Sequence, residues 1–182
     1  MVSDILDAAA LVLEERGLAG YNTNAVADRA GVSVGSLYQY FANKAALTHA
    51  LMEREDMVIE RKLAKLEEDL VGLPLLTGLL HLSASCRLQR PALARLLAAE
   101  SPRLPPSRHA SRLTARLESV FQRSFEGTPL QNLPDAAADI FSIMIGLIDS
   151  AGQRDGVEPA DLAQRLVGSV FGYVDVYVSR TP

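Results

Sequence analysis

The stretch from Thr23 to Leu47 reads TNAVADRAGVSVGSLYQYFANKAAL, and its punctuation decides the fold. Thr23 is placed to cap a short helix, Asn24 to Ala30, which Gly31 ends. Ser33 caps a second short helix, from Val34 to about Phe41, and Asn43 caps a third that continues to around Leu70. Two short helices joined by a turn of three or four residues cross steeply, with their backbones close together. Close approach calls for small side chains, supplied by Ala27 and Ala30, and the turn calls for a residue that tolerates positive φ, supplied by Gly31. Val32, Leu37 and Phe41 can anchor the inner face of the second helix. The spacing of Ala27, Gly31 and Leu37 is that of a helix-turn-helix.

With Leu37 and Phe41 turned inward, Val34, Ser36, Tyr38, Gln39 and Tyr40 share the sides and the outer face of the second helix. Two tyrosines and a glutamine make poor solvent surface on so short a helix. Against DNA they make sense: phenolic hydroxyls donate to phosphate oxygens, and Gln or Ser reaches base edges in the major groove. Gly35, in the first turn, lets the backbone come close to the duplex. The helix starts behind Thr23, Ser33 and Asn43 direct amide N–H groups outward, a favourable setting for phosphate. Lys44, just after the Asn43 cap, reads as a phosphate contact rather than an ordinary solvated charge.

Upstream, Ile5, Ala9, Val12 and Leu13 recur on one face of a helix from about residue 4 to 16, with Gly17 as its stop. Downstream, breaks at Gly72–Pro74, Pro91, Pro102–Pro106, Gly127–Pro134 and Gly152–Pro159 separate helices of roughly 73–89, 91–99, 106–125, 134–152 and 159–179. No run alternates as a strand would. The expected fold is all-α: an N-terminal helix-turn-helix domain of three helices, residues 1–48, then a helical ligand-binding and dimerisation domain, residues 49–182, with about nine helices in total.

At 182 residues and 48% hydrophobic, the chain can bury a sizeable core and is not intrinsically disordered. Its apolar stretches fall short of the roughly 18 residues a membrane span needs, and no basic-then-apolar leader opens it. A lone cysteine, Cys86, suits a reducing compartment and reads as a small buried hydrophobe. These features point to a cytoplasmic protein with no membrane partner. The net charge of −4 is unevenly spread. Residues 1–48 carry three basic and five acidic side chains, whereas residues 87–123 carry eight basic and two acidic. The DNA-reading part is thus not the basic part, although phosphate neutralisation normally dominates affinity.

GVSVGSLYQYFANKAAL, preceded by ILDAAALVLEERG and TNAVADRAG, resembles the DNA-binding domain of the TetR/AcrR family of transcriptional regulators over about residues 4–50. The resemblance implies backbone or phosphate contacts at Thr23, Gly35, Tyr38, Tyr40 and Lys44, and base-edge or nearby contacts at Asn24, Val34, Ser36 and Gln39. It implies core packing for Ala27, Leu37 and Phe41. Two departures stand out. Many relatives carry basic residues ahead of the first helix, where this chain reads MVSD, and Ala42 replaces the usual residue before Asn-Lys. Phosphate contacts should therefore rest on hydroxyls, backbone amides and Lys44, with a shallow salt dependence.

In the last two helices apolar residues cover more than one face, Phe141, Met144 and Ile148 in one and Leu166, Val170, Phe171, Val174 and Tyr177 in the other. Gly168 and Gly172 are spaced for close helix contact. The helices are either central to one subunit or, as the resemblance implies, paired with their symmetry mates in a homodimer. One short recognition helix reads few bases, and a two-fold dimer sets two of them on half-sites of double-stranded operator DNA. The helices over 73–125 would enclose an unknown small-molecule effector. Thr77, His81 and Ser85 form a polar stripe that is either a solvated face or a pocket lining; Phe121, Phe125 and Met144 are apolar candidates for the same pocket, or plain core. The arginine excess from Arg87 to Arg123 reads as solvated surface, with an anionic ligand as the other reading.

His49, His81 and His109 lie far apart, without metal-ligand spacing, and no phosphate-cradling glycine loop or nucleophile motif is present, so neither an enzyme nor a cofactor is expected. The expected function is a transcriptional regulator, a repressor by analogy with relatives, released from its palindromic operator when ligand shifts the 106–125 region against the long helix. The alternative is a ligandless helix-turn-helix regulator or DNA-organising protein controlled by a protein partner.

Overall fold

The structure, a computed structural model, describes residues 1–105, 108–128, 131, 135–154 and 156–178. Among the described residues there are nine α-helices and no strand: α1 Val2–Gly20, α2 Thr23–Ala30, α3 Val34–Tyr40, α4 Lys44–Asp69, α5 Gly72–Gln89, α6 Pro91–Glu100, α7 Arg108–Ser124, α8 Ala136–Gly152 and α9 Pro159–Val178. A 3-10 turn, Ser101–Arg103, follows α6. Among these residues no helix is long and apolar enough to cross a membrane.

The punctuation residues act largely as expected. Gly17 breaks the helical path inside α1 with φ 62° and ψ −171°, so the regular helix ends at Arg16 and the last residues form a separate turn. Gly31 adopts the left-handed conformation (φ 68°, ψ 29°). The Gly31 and Val32 amides then donate back to the Asp28 and Ala27 carbonyls, which closes the end of α2 as a Schellman motif. The Ser33 hydroxyl accepts from the Ser36 amide, and the Asn43 side chain accepts from the Ala46 amide at 2.8 Å. One cap differs. Asn22, not Thr23, caps α2, its Oδ1 accepting from the Ala25 amide at 2.9 Å, while Thr23 is already the first helical residue. Both residue types cap well, so local sequence could not choose between them.

The chain divides into two compact units, Met1–Val58 with Ala92–Ala110, and Ile59–Pro91 with Ser111–Pro182. The first is built on the predicted face of α1, where Ile5, Ala9, Val12 and Leu13 are buried together with Val26, Ala27, Leu37, Phe41, Leu47 and Leu51. Leu93 and Leu97 of α6 complete that core, although position in the sequence alone would place this helix in the effector chamber. In the second unit α5 packs against α9 and α8, burying Leu76, Leu80, Phe121, Ile140, Leu166 and Val170. Each such side chain contributes about 1.5–3 kcal/mol of burial, which fixes the helices that carry the functional side chains.

Candidate nucleic-acid interface

α2 and α3 meet through buried Ala27 and Leu37, and this packing sets the outer face of α3. Tyr38 and Tyr40 are each 48% exposed, and Gln39, Gly35 and Asn24 are exposed beside them. Val34, Ser36, Thr23 and Lys44 are half-buried. The Thr23 and Tyr38 hydroxyls lie 3.1 Å apart, linking the start of α2 to the middle of α3 at the surface. The Ser33 and Ser36 hydroxyls share a 2.8 Å hydrogen bond at the start of α3. Each sequence-predicted DNA contact therefore sits on α2, on α3 or at the start of α4, and Leu37, Ala27 and Phe41 point into the core.

Two arrangements at this surface go beyond what the sequence indicates. Arg29 of α2 donates twice to the Glu15 carboxylate of α1, at 2.9 and 3.2 Å, which ties the helix-turn-helix to the first helix and engages one of the few basic side chains here. Tyr21, between α1 and α2, is buried beneath Lys44, whose ammonium lies 5.0 Å from the ring centroid. A signal for Tyr21 exists, since an aromatic residue between Gly20 and the Asn22 cap is placed to pack on the core, but which cation covers it depends on three-dimensional packing.

In the second unit, Phe121, Phe125 and Met144 are buried in one cluster, and Phe121 stands edge-on to Phe141 with centroids 6.1 Å apart. His81 and Ser85 are not brought to that cluster; both lie exposed on α5. A polar side chain that does reach it is Ser83, whose hydroxyl donates to the Leu79 carbonyl at 2.8 Å and lies 3.7 Å from Met144 Sδ. Of the expected dimer residues, Met144, Leu166, Val170 and Val174 are buried in this chain's own core, and Phe141, Ile148 and Phe171 are half-buried against it. Tyr177 belongs to α9, and its side chain lies outside the described residues. α8 and α9 leave exposed Ile145, Val176, Gly146, Gly168 and Gly172. Among the described residues no group of three or more His, Cys, Asp or Glu side chains could hold a metal ion.

A helix-turn-helix whose second helix displays tyrosine and glutamine, carried on an all-helical chain, presents the kind of surface that can enter a DNA groove. Residues 5–51 match the family model for bacterial regulatory proteins of the tetR family. The matched segment runs from α1 into α4, so it is the helix-turn-helix part of the chain that is similar to these regulators. No curated protein sequence matches it. Solved structures share the fold over almost the whole length. A transcriptional regulator from Rhodococcus sp. Rha1 superposes with a TM-score of 0.76 at 20% identity, covering 100% of this chain and 99% of its own. The fatty acid degradation regulator FadR from Bacillus halodurans gives 0.75 at 20% identity, covering 94% and 98%. AibR, solved in complex with isovaleryl coenzyme A and operator DNA, gives 0.72 at 17% identity, covering 93% and 97%.

Proposed function

We propose that this protein is a repressor that binds a palindromic operator as a homodimer and releases it on binding a small molecule. The observation that carries the DNA-reading part is the face shared by Tyr38, Gln39 and Tyr40, exposed on a helix whose inner side is anchored by fully buried Leu37. Gln39 and Ser36, with Asn24 and Val34, are assigned to base edges; Thr23, Gly35, Tyr38, Tyr40 and Lys44 are assigned to the backbone. The functional division is residues 1–48 for DNA and 49–182 for effector and partner.

The homodimer would form through α8 and α9. Leu166, Val170 and Val174 serve the chain's own core, so the opposite face of α9 remains for a second copy. Arg165, Gly168, Ser169, Gly172 and Val176 are exposed at helical spacing along that face, and Ile145 is exposed on α8. Half-buried Phe141, Ile148 and Phe171 flank these faces.

For the effector, Phe121, Phe125 and Met144 are the preferred lining, being apolar and clustered, with Ser83 as a polar group for orientation. Exposure of His81 and Ser85 favours the solvated-face reading of their stripe. The AibR complex is a precedent for one such fold holding both a small molecule and operator DNA. Coupling would run through α7 and α4. Arg116 Nε of α7 donates to Glu67 Oε2 at 2.9 Å, and Arg123 pairs with the other oxygen of the same carboxylate. Glu67 lies near the end of α4, the helix that begins at Lys44. A ligand that shifts α7 would thus act on α4, provided it binds the DNA-free state more tightly.

The test is selection of bound DNA from a random pool by the full chain and by its Tyr40→Ala variant. A palindromic site recovered by the first and not by the second is the expected result. Failure of the unaltered chain to enrich any sequence overturns the operator reading.

A further inference from the structure

Lys44 opens α4, and its Nζ stands over the face of the Tyr21 ring at 5.0 Å from the centroid. The ring itself is only 1% exposed and cannot turn freely. Its hydroxyl lies 3.2 Å from the Thr48 hydroxyl, which lies 2.9 Å from the Lys44 carbonyl. Thr48 has one proton to give. While it donates to the Lys44 carbonyl, the Tyr21 O–H, kept protonated by burial, donates to Thr48. The hydroxyl is thus linked through Thr48 to the backbone of Lys44, while burial among its neighbours holds the ring face beneath the ammonium.

We propose that Tyr21 is a positioning residue for DNA binding, its ring face holding the Lys44 ammonium at the start of α4 so that the lysine meets a phosphate already oriented. The proposal rests on the reading of Lys44 as a phosphate contact. The first 48 residues carry only three basic side chains, and one of them, Arg29, is engaged by Glu15. A domain with so little positive charge gains from not spending lysine rotamer freedom at the moment of binding. The geometry is compatible with both contacts. An ammonium resting on a π face by one side keeps N–H donors on the other, and the first amides of α4 lack intrahelical acceptors and favour the same anion.

The experiment uses the full chain and its selected operator, measured across a salt series. Lys44→Met is expected to weaken binding and to lower the slope of log K against log salt by about 0.9 for each phosphate no longer neutralised. Tyr21→Phe keeps the ring face and is expected to stay within about twofold of the parent. Replacing Tyr21 by pentafluorophenylalanine keeps the ring shape but reverses its quadrupole, and is expected to cost about two- to fivefold relative to Tyr21→Phe. That cost should vanish in the Lys44→Met background. An equal cost in both backgrounds, or tighter binding on fluorination, overturns the role of the ring. Unchanged affinity and slope in Lys44→Met overturn the phosphate premise instead. The upfield ring-current shift of the Lys44 side-chain protons, read separately by NMR, then shows whether the stacking itself persists.

Discussion

The hydroxyls of Thr23 and Tyr38, fifteen positions apart in the chain, meet at 3.1 Å on the exposed edge where α2 and α3 cross. The contact orients two hydroxyls toward the face assigned to DNA, and because it is solvated it adds little to folding. Tyr38→Phe is therefore expected to leave the unfolding free energy within about 0.5 kcal/mol of the parent while weakening operator binding roughly tenfold. Chemical denaturation and fluorescence anisotropy on the same preparations check both halves. Equal losses in stability and affinity would make the tyrosine a packing residue.

The cap of α2 separates Asn22 from its neighbour. Asn22→Ala removes the acceptor for the Ala25 amide and should cost about 1 kcal/mol of stability. Thr23→Ala should cost almost none and act on DNA affinity instead. Urea midpoints of the two variants, measured side by side, decide which residue is the cap.

Glu67 gathers Arg116 and Arg123 while only 15% of its own side chain is exposed. The arginines are 37% and 50% exposed, so solvent screens much of the attraction. Glu67→Gln is expected to destabilise the chain by about 1 kcal/mol at low salt and by less at high salt. It should also shift the ligand concentration needed for release from DNA if α7 acts through α4. Denaturation at two ionic strengths tests the first expectation, and effector titration the second.

Burial raises the Tyr21 hydroxyl above its ordinary pKa of 10.0. The folded state therefore retains this proton at a pH where the unfolded chain releases it. The associated stability is present below the unfolded pKa and is lost as pH rises through the folded one. Stability should fall between pH 10 and the higher folded value more steeply for the parent than for Tyr21→Phe, as denaturant midpoints across that range would register.

A Cβ at Gly168 would meet nothing within 4 Å, so Gly168→Arg should leave the single chain folded. If α9 faces a second copy there, the variant should be largely monomeric by sedimentation and bind operator roughly tenfold more weakly or worse. A variant that remains dimeric places the interface elsewhere.

The helix-turn-helix was legible because its determinants are local. Gly31 supplies a left-handed residue, Ser33 and Asn43 supply side-chain acceptors one turn from their amides, and Leu37 and Phe41 leave the tyrosines outward by helical periodicity alone. These depend on neighbours three or four residues away, so the chain between Thr23 and Leu47 encodes its own shape. The number and limits of the nine helices among the described residues followed from the same kind of signal, glycine and proline interrupting apolar periodicity.

Periodicity shows that a helix has an apolar face but not which element covers it, and here tertiary structure decided. It gave Leu93 and Leu97 of α6 to the core of the first unit, turned Leu166, Val170 and Val174 inward and left Gly168 and Val176 outside. It also set His81 at the surface and brought Ser83 to Met144. The same holds for charge: Glu67 finds arginines 49 and 56 positions away, and Lys44 finds a ring in another element. Turns and most caps are short-range and were written in the sequence, the choice of Asn22 over Thr23 apart; burial partners and ion pairs are long-range, and only the folded chain brings them together.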